Sequence, residues 1–173
     1  MITEFKLFLE SLQNRETLNV YTDMSLDEDT VYIGAVAIDE KDNEYRYADK
    51  LDKIEIYRYF KIAFPKGSTT TAETISLYCT LSHLQLKENK DIIVYIDSQG
   101  LFDTINDIFK SRKFSFSNVL SQLKELIENI KIKNNTVDIR LVKGHSKVWG
   151  NDIANDLATR AREGYEINEI ENI

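Results

Sequence analysis

At 173 residues with 42% apolar content, the chain has the length of one domain and enough hydrophobic material for a core of its own. Its single cysteine, Cys79, excludes a disulfide framework or a Cys-rich zinc site and is expected of a reducing compartment. The net charge of −7 argues against a uniformly polyanion-binding surface, MITEFK carries an acid where a secretion signal needs basic residues, and runs such as AVAI and IIVYI are too short to cross a bilayer, so a soluble, cytoplasmic monomer with no membrane partner is expected.

The first element is a helix over residues 1–16, an N-terminal extension with Ile2, Phe5, Phe8, Leu9 and Leu12 at helical spacing. TLNVYTD and VYIGAVAID follow as strands, then a polar hairpin around EKDNE and strand-like segments reaching IYRYFKIAF, rich in aromatic and β-branched residues. Residues 40–55 read as a lengthened hairpin without an assigned role. The period then changes. TTTAETISLYCTLSHLQLK is expected as a helix, DIIVYID as a buried strand, LFDTINDIFK and FSNVLSQLKELIENIK as helices, TVDIRLV as a strand and NDIANDLATRARE as a closing helix. Three strands followed by alternating helices and strands imply one α/β layer structure, a mixed sheet with helices on its faces. Residues 17–163 form its body, and residues 164–173 an acidic tail expected to fray, unless Ile167, Ile170 and Ile173 dock it. Residues 109–150 hold nine Lys or Arg against three acids, a basic stretch that by default reads as a solvated helical face.

Three acids stand where acids are individually ordinary: Asp23 as a turn former after a strand, Asp97 or Ser98 as a helix cap, and Glu73 as the last member of a Thr70-Thr71-Ala72-Glu73 capping box. Glu73, however, shares a helical face with Leu77, Leu81 and Leu84, so it is expected to face the sheet. A carboxylate on a core stripe needs a compensating charge, which a metal ion supplies. Asp23 and Asp97 close strands at the edge where open α/β sheets place ligands. If those strands are neighbours, three carboxylates converge, and all-oxygen donors select hard cations such as Mg²⁺ or Mn²⁺.

YTDMS, TTAETISLYCTLSHL, VYIDSQG and LVKGHSKVWGNDIANDLA resemble, in order and spacing, the four signatures of type 1 ribonuclease H, especially the ribonuclease H domains of retroelements. The resemblance implies the ribonuclease H-like fold: a five-stranded mixed sheet in order 3-2-1-4-5 with helices on both faces. It implies a metal-dependent endonuclease that cuts the RNA strand of RNA/DNA hybrids, in a reverse transcriptase or replication setting. Asp23, Glu73 and Asp97 match the first three catalytic carboxylates, which hold two Mg²⁺ ions, replaceable by Mn²⁺, on the scissile phosphate. His145 matches the loop histidine that assists proton transfer or product release. Ser25, Thr69, Thr70 and Gln99 fall where family members touch the hybrid. Met24 stands where the family usually has glycine. The strongly basic, Trp-rich handle of some members has no counterpart, and Trp149, beside a helix start, is expected to pack under its own loop.

The fourth acid of the pattern belongs ten residues after His145, at Asn155. Neighbouring Asp156 points about 100° away around a helix, and a register slip would expose the stripe of Ile153, Ala154, Leu157, Ala158 and Ala161. Asn155 therefore takes the catalytic and metal-binding position, offering a carbonyl oxygen without a charge. Lowered activity is expected, whether the asparagine is natural or an Asp→Asn change made to trap substrate. Two readings stay open beside the enzyme: a catalytically silent RNA/DNA-hybrid or double-stranded RNA binding module, and another nuclease or transposase on the same sheet.

Overall fold

A computed structural model describes residues 4, 6, 15–84, 88–110, 118–142 and 149–171. The helix expected over residues 1–16 falls almost wholly outside these, except that the first strand already begins at Glu16. Five strands, β1 (Glu16–Leu26), β2 (Thr30–Ile38), β3 (Glu44–Asp52), β4 (Lys90–Ile96) and β5 (Thr136–Leu141), form one sheet in the order β3-β2-β1-β4-β5. β1, β2 and β3 pair antiparallel, whereas β4 runs parallel to β1 and β5 parallel to β4. This is the expected mixed sheet.

Local chemistry sets the turns. The Asp27 side chain accepts the backbone N–H groups of Asp29 and Thr30 and the Tyr32 hydroxyl, and so closes the β1–β2 turn. Asp39 does the same for Lys41 and Asn43 in the next hairpin, with Asp42 at a positive φ of 62°. β3 pairs with β2 along its whole length, so residues 44–52 of the expected lengthened hairpin are regular sheet.

After β3, six helices alternate with the remaining strands among the described residues, two before β4, two before β5 and two after it: α1 (Lys53–Phe60), α2 (Thr69–Leu84), α3 (Gln99–Lys110), α4 (Asn118–Ile132), α5 (Trp149–Arg162) and α6 (Ile167–Glu171). α1 corrects the sequence reading, which made this segment strand-like. Asp52 and Glu55 form a complete capping box, and Ile56 and Phe60, four residues apart, bury one helical face. Lys61 ends the helix in the left-handed region at φ 55°. Start and stop signals thus outweigh the strand-like composition.

α2 and α4 cover one face of the sheet, where Leu18, Val20, Leu77, Leu81, Ile92, Val94, Leu123 and Ile127 make the main core. α5 covers the other, with Leu157 and Ala161 packed on Ala48. β2 is buried on both sides through its central residues, as a strand covered by two layers should be. The tail docks rather than frays: Ile167 packs against the α5 cluster, and Glu171 accepts the backbone N–H of Ala48 on the outer strand at 3.1 Å.

Candidate active site

Successive side chains of β1 leave opposite faces of the sheet. Leu18, Val20 and Thr22 point toward α2, and the odd-numbered residues toward α5. Thr22 meets the hydroxyls of Ser76 and Thr80 at 3.1 Å each, a polar knot buried between strand and helix. Ser76 also donates to the backbone carbonyl of Asp23 at 3.1 Å. Because Ser76 lies three residues after Glu73, one turn of α2 is fastened to the stretch of β1 that carries Asp23.

β1 and β4 pair in parallel from Glu16–Lys90 to Tyr21–Tyr95, and the same register continued places Asp23 abreast of Asp97. Asp23, Glu73 and Asp97 line one small pocket, together with Thr22, Met24, Ser76, Ile96, Ser98 and Leu101. The ordinary explanation of each acid fails in turn. Asp23 is not a turn residue, since β1 continues to Leu26 and Asp27 makes the turn. Asp97 is not the cap of α3, because Ser98 Oγ accepts the N–H of Leu101 at 3.1 Å. Glu73 does not close a capping box either: Ser68 stands at the cap of α2, accepting the N–H of Thr71 on its hydroxyl and that of Ala72 on its carbonyl.

Glu73 is left with Oε2 buried and without a hydrogen-bond partner among the described residues. Burial pushes its carboxyl above the ordinary carboxylate range, and the charge of Asp97 adds to this, while a hydrogen bond from Ser98 opposes both. An orphaned, dry carboxylate oxygen beside two further carboxylates is a donor set that fits a hard divalent cation. Among the described residues, however, no group of three or more His, Cys, Asp or Glu side chains is drawn together closely enough to hold a metal ion. The three acids share a pocket but do not form a closed cage.

Asn155 is exposed on α5, whose register is fixed by Gly34, the β2 residue paired with Asp23. A Cβ on Gly34 would stand 2.2 Å from the Ala154 carbonyl oxygen and 2.5 Å from the Ala158 nitrogen, so the helix lies directly on the strand. Ala154, Leu157, Ala158 and Ala161 are buried, as the register argument requires. Asp156 is exposed as well and pairs with Arg160 at 2.9 Å. Ser25 accepts a hydrogen bond from Arg162 at 3.1 Å. Thr69 and Thr70 open α2, Gln99 opens α3, and a Cβ on Gly100 would meet the Thr70 hydroxyl at 3.3 Å, so these two helix starts abut. His145 lies outside the described residues. Trp149 does not pack away: it is 54% exposed at the start of α5. The sequence reading missed Thr22 and Ser76, although Ser76 sits on the same helical face as Glu73, and named Ser98 only as a helix cap, without its bond to Glu73.

Residues 15–163 match the sequence profile of the RNase H family. No curated protein sequence matches the chain. Among solved structures, RNase H1 from the halophilic archaeon Halobacterium salinarum is 14% identical with a TM-score of 0.60, the match covering 86% of this chain and 99% of that one. LC9-RNase H1, a type 1 RNase H with the type 2 active-site motif, is 18% identical with a TM-score of 0.58, over 88% and 74% of the two chains. LC11-RNase H1, solved in complex with an RNA/DNA hybrid, is 14% identical with a TM-score of 0.57, over 84% and 99%. At such identities the structural likeness establishes the fold. The ordered signatures, the sheet in order β3-β2-β1-β4-β5 and a profile match over most of the sequence agree on one conclusion: the chain belongs to the RNase H family.

Proposed function

We propose that this chain is an endoribonuclease that hydrolyses the RNA strand of RNA/DNA hybrids, with cleavage lowered by Asn155. The observation that carries this reading is the meeting of Asp23, Glu73 and Asp97 at one pocket, with Glu73 Oε2 buried and unpartnered. Asp23, Glu73, Asp97 and the carbonyl of Asn155 would hold two Mg²⁺, or Mn²⁺, ions. Bound there, the ions supply activation of a water and stabilisation of the leaving oxygen in an in-line phosphodiester displacement.

The protein's own groups prepare the site. Ser76 and Thr22 lock the Glu73 turn against the Asp23 strand, so two donors from distant sequence keep their spacing before substrate arrives. Ser98 donates to Glu73 and favours its ionised, cation-binding form against the pull of burial. Asn155 keeps the shape of the fourth donor but withholds one negative charge, which weakens cation retention more than substrate placement. Ser25, Thr69, Thr70 and Gln99 offer hydroxyl and amide groups around the pocket to the sugars and phosphates of the hybrid. His145 takes the proton-transfer or product-release role. No described helix is long and apolar enough to cross a membrane, and a cytoplasmic monomer in a replication or reverse-transcription setting belongs to the same reading.

The deciding experiment offers labelled RNA/DNA hybrid, double-stranded RNA and double-stranded DNA to the chain and to Asn155→Asp, first with Mg²⁺ and then with Mn²⁺. Hybrid-selective cleavage that rises at least roughly 10-fold in Asn155→Asp is expected, by analogy with the 10- to 100-fold cost of lost outer-shell metal partners. Tight hybrid binding with no cleavage by either protein would make the chain a binding module instead. Cutting of duplex DNA alone would assign it to another nuclease class on this sheet.

A further inference from the structure

α1 presents a face that the catalytic pocket does not use. Ile56 and Phe60 turn inward, while Lys53, Ile54, Tyr57 and Arg58 on the helix and Lys61 just past it are exposed. At 100° per residue the four helical residues fall within one arc that starts beside Phe60 and runs to the outer side, and Lys61, the left-handed cap, joins it through its ammonium over the Tyr57 ring; Glu55 falls outside the arc and is already engaged as the capping-box acid. Residues 53–66 thus bring four cations, Lys53, Arg58, Lys61 and Lys66, against one acid in a chain of net charge −7. Solvation alone does not call for an isoleucine and a tyrosine, each 61% exposed, among those cations. The Lys61 ammonium lies 5.7 Å from the centre of the Tyr57 ring, so the aromatic and the charge form one unit.

The position is as informative as the composition. Asp52, the cap of α1, pairs with Thr30, at the same end of the sheet as the Asp23 end of β1. Lys53 donates its backbone N–H to the Asp29 carbonyl in the β1–β2 turn at 3.0 Å. Beyond Lys61 the chain leads into Thr69, the first residue of the helix that carries Glu73. β3 is two strand spacings from β1, about 10 Å, and Asp52 lies about 13 Å further along the sheet than Ala48, the β3 residue in line with Gly34 and Asp23, so the stripe flanks the pocket at a distance of several base pairs. The partner its chemistry fits is a polyanion.

Resting on the function proposed above, we propose that Lys53, Tyr57, Arg58 and Lys61 bind the sugar-phosphate backbone of the hybrid beyond the scissile bond, with cations on phosphates and the tyrosine against sugar and phosphate. The test is equilibrium binding, in chelator, of two labelled RNA/DNA hybrids, one confined to the catalytic edge and one extending past it. The parent chain is compared with the combined variant Lys53→Gln, Tyr57→Ser, Arg58→Gln, Lys61→Asn, in which asparagine suits the left-handed position. The longer hybrid should bind the variant roughly tenfold more weakly, with a salt slope shallower by about 2 to 3, while the shorter one and the melting temperature are unchanged. Equal affinity of parent and variant for the longer hybrid, or an equal loss for both hybrids, overturns this assignment alone. A parent chain that binds neither hybrid overturns the assignment together with the function on which it rests.

Discussion

Glu73 is the residue on which the site turns, and its raised carboxyl makes a signed prediction. Below the ordinary carboxylate range the group is protonated in folded and unfolded chains alike and costs nothing. As pH rises through its raised native value, the fold must hold a charge that burial disfavours, so stability is lost in that window. In chelator, Glu73→Gln should therefore melt above the parent at neutral pH and level with it in acid. Mg²⁺ or Mn²⁺ should raise the parent's melting temperature and leave the variant's unchanged; identical responses would remove Glu73 from the cation site. Ser76→Ala should cost about 1 kcal/mol in urea unfolding, from the lost hydrogen bond to the Asp23 carbonyl, and should weaken cation-induced stabilisation as well. That the three acids share a pocket was legible because each occupies an ordered motif and Glu73 rides an apolar stripe. The supporting hydroxyls were not, since a serine or threonine in a helix looks the same whether it faces water or a buried strand.

At the level of elements, the seat of α5 on Gly34 decides where Asn155 stands. Gly34→Ala would drive a methyl into helix backbone that has no rotamer with which to yield. It should destabilise by about 1–3 kcal/mol and, on the function proposed above, depress hybrid cleavage, since the displaced helix carries Asn155. Guanidinium unfolding and single-turnover cleavage read the two effects. A smaller change is expected from Asp52→Ala, which removes the cap of α1 at a cost of about 1 kcal/mol and loosens the face assigned to the hybrid flank. The helices α2 to α5 and the strands β1, β2, β4 and β5 follow from periodicity, with ends displaced by a few residues, whereas β3 lay within a segment read as a lengthened hairpin. α1 did not, because aromatic and β-branched residues outnumber helix formers there, and the Asp52–Glu55 pair, the decisive signal, sat inside what read as a hairpin. Gly34 also gave no warning: a glycine within an apolar strand does not announce which backbone approaches it.

For the whole molecule, the strand order came from resemblance rather than from residue patterns, since nothing local in β1 states that its parallel neighbour lies some seventy residues ahead. The sequence reading takes charge only as a total and as one basic stretch between residues 109 and 150; the shorter basic stretch of residues 53–66 gains meaning once β3 is seen to deliver α1 to the end of the sheet toward which Asp23 lies. One contact on the outer edge of the sheet has a separate consequence. β3 is the outermost rung, and the Glu171 carboxylate takes the Ala48 N–H that would otherwise be open to a strand from another molecule. α6 thereby acts as a stopper against templated growth. Glu171→Ala combined with loss of the Ile167 anchor should leave the pocket of Asp23, Glu73 and Asp97 in place and make light scattering climb with concentration above that of the parent chain.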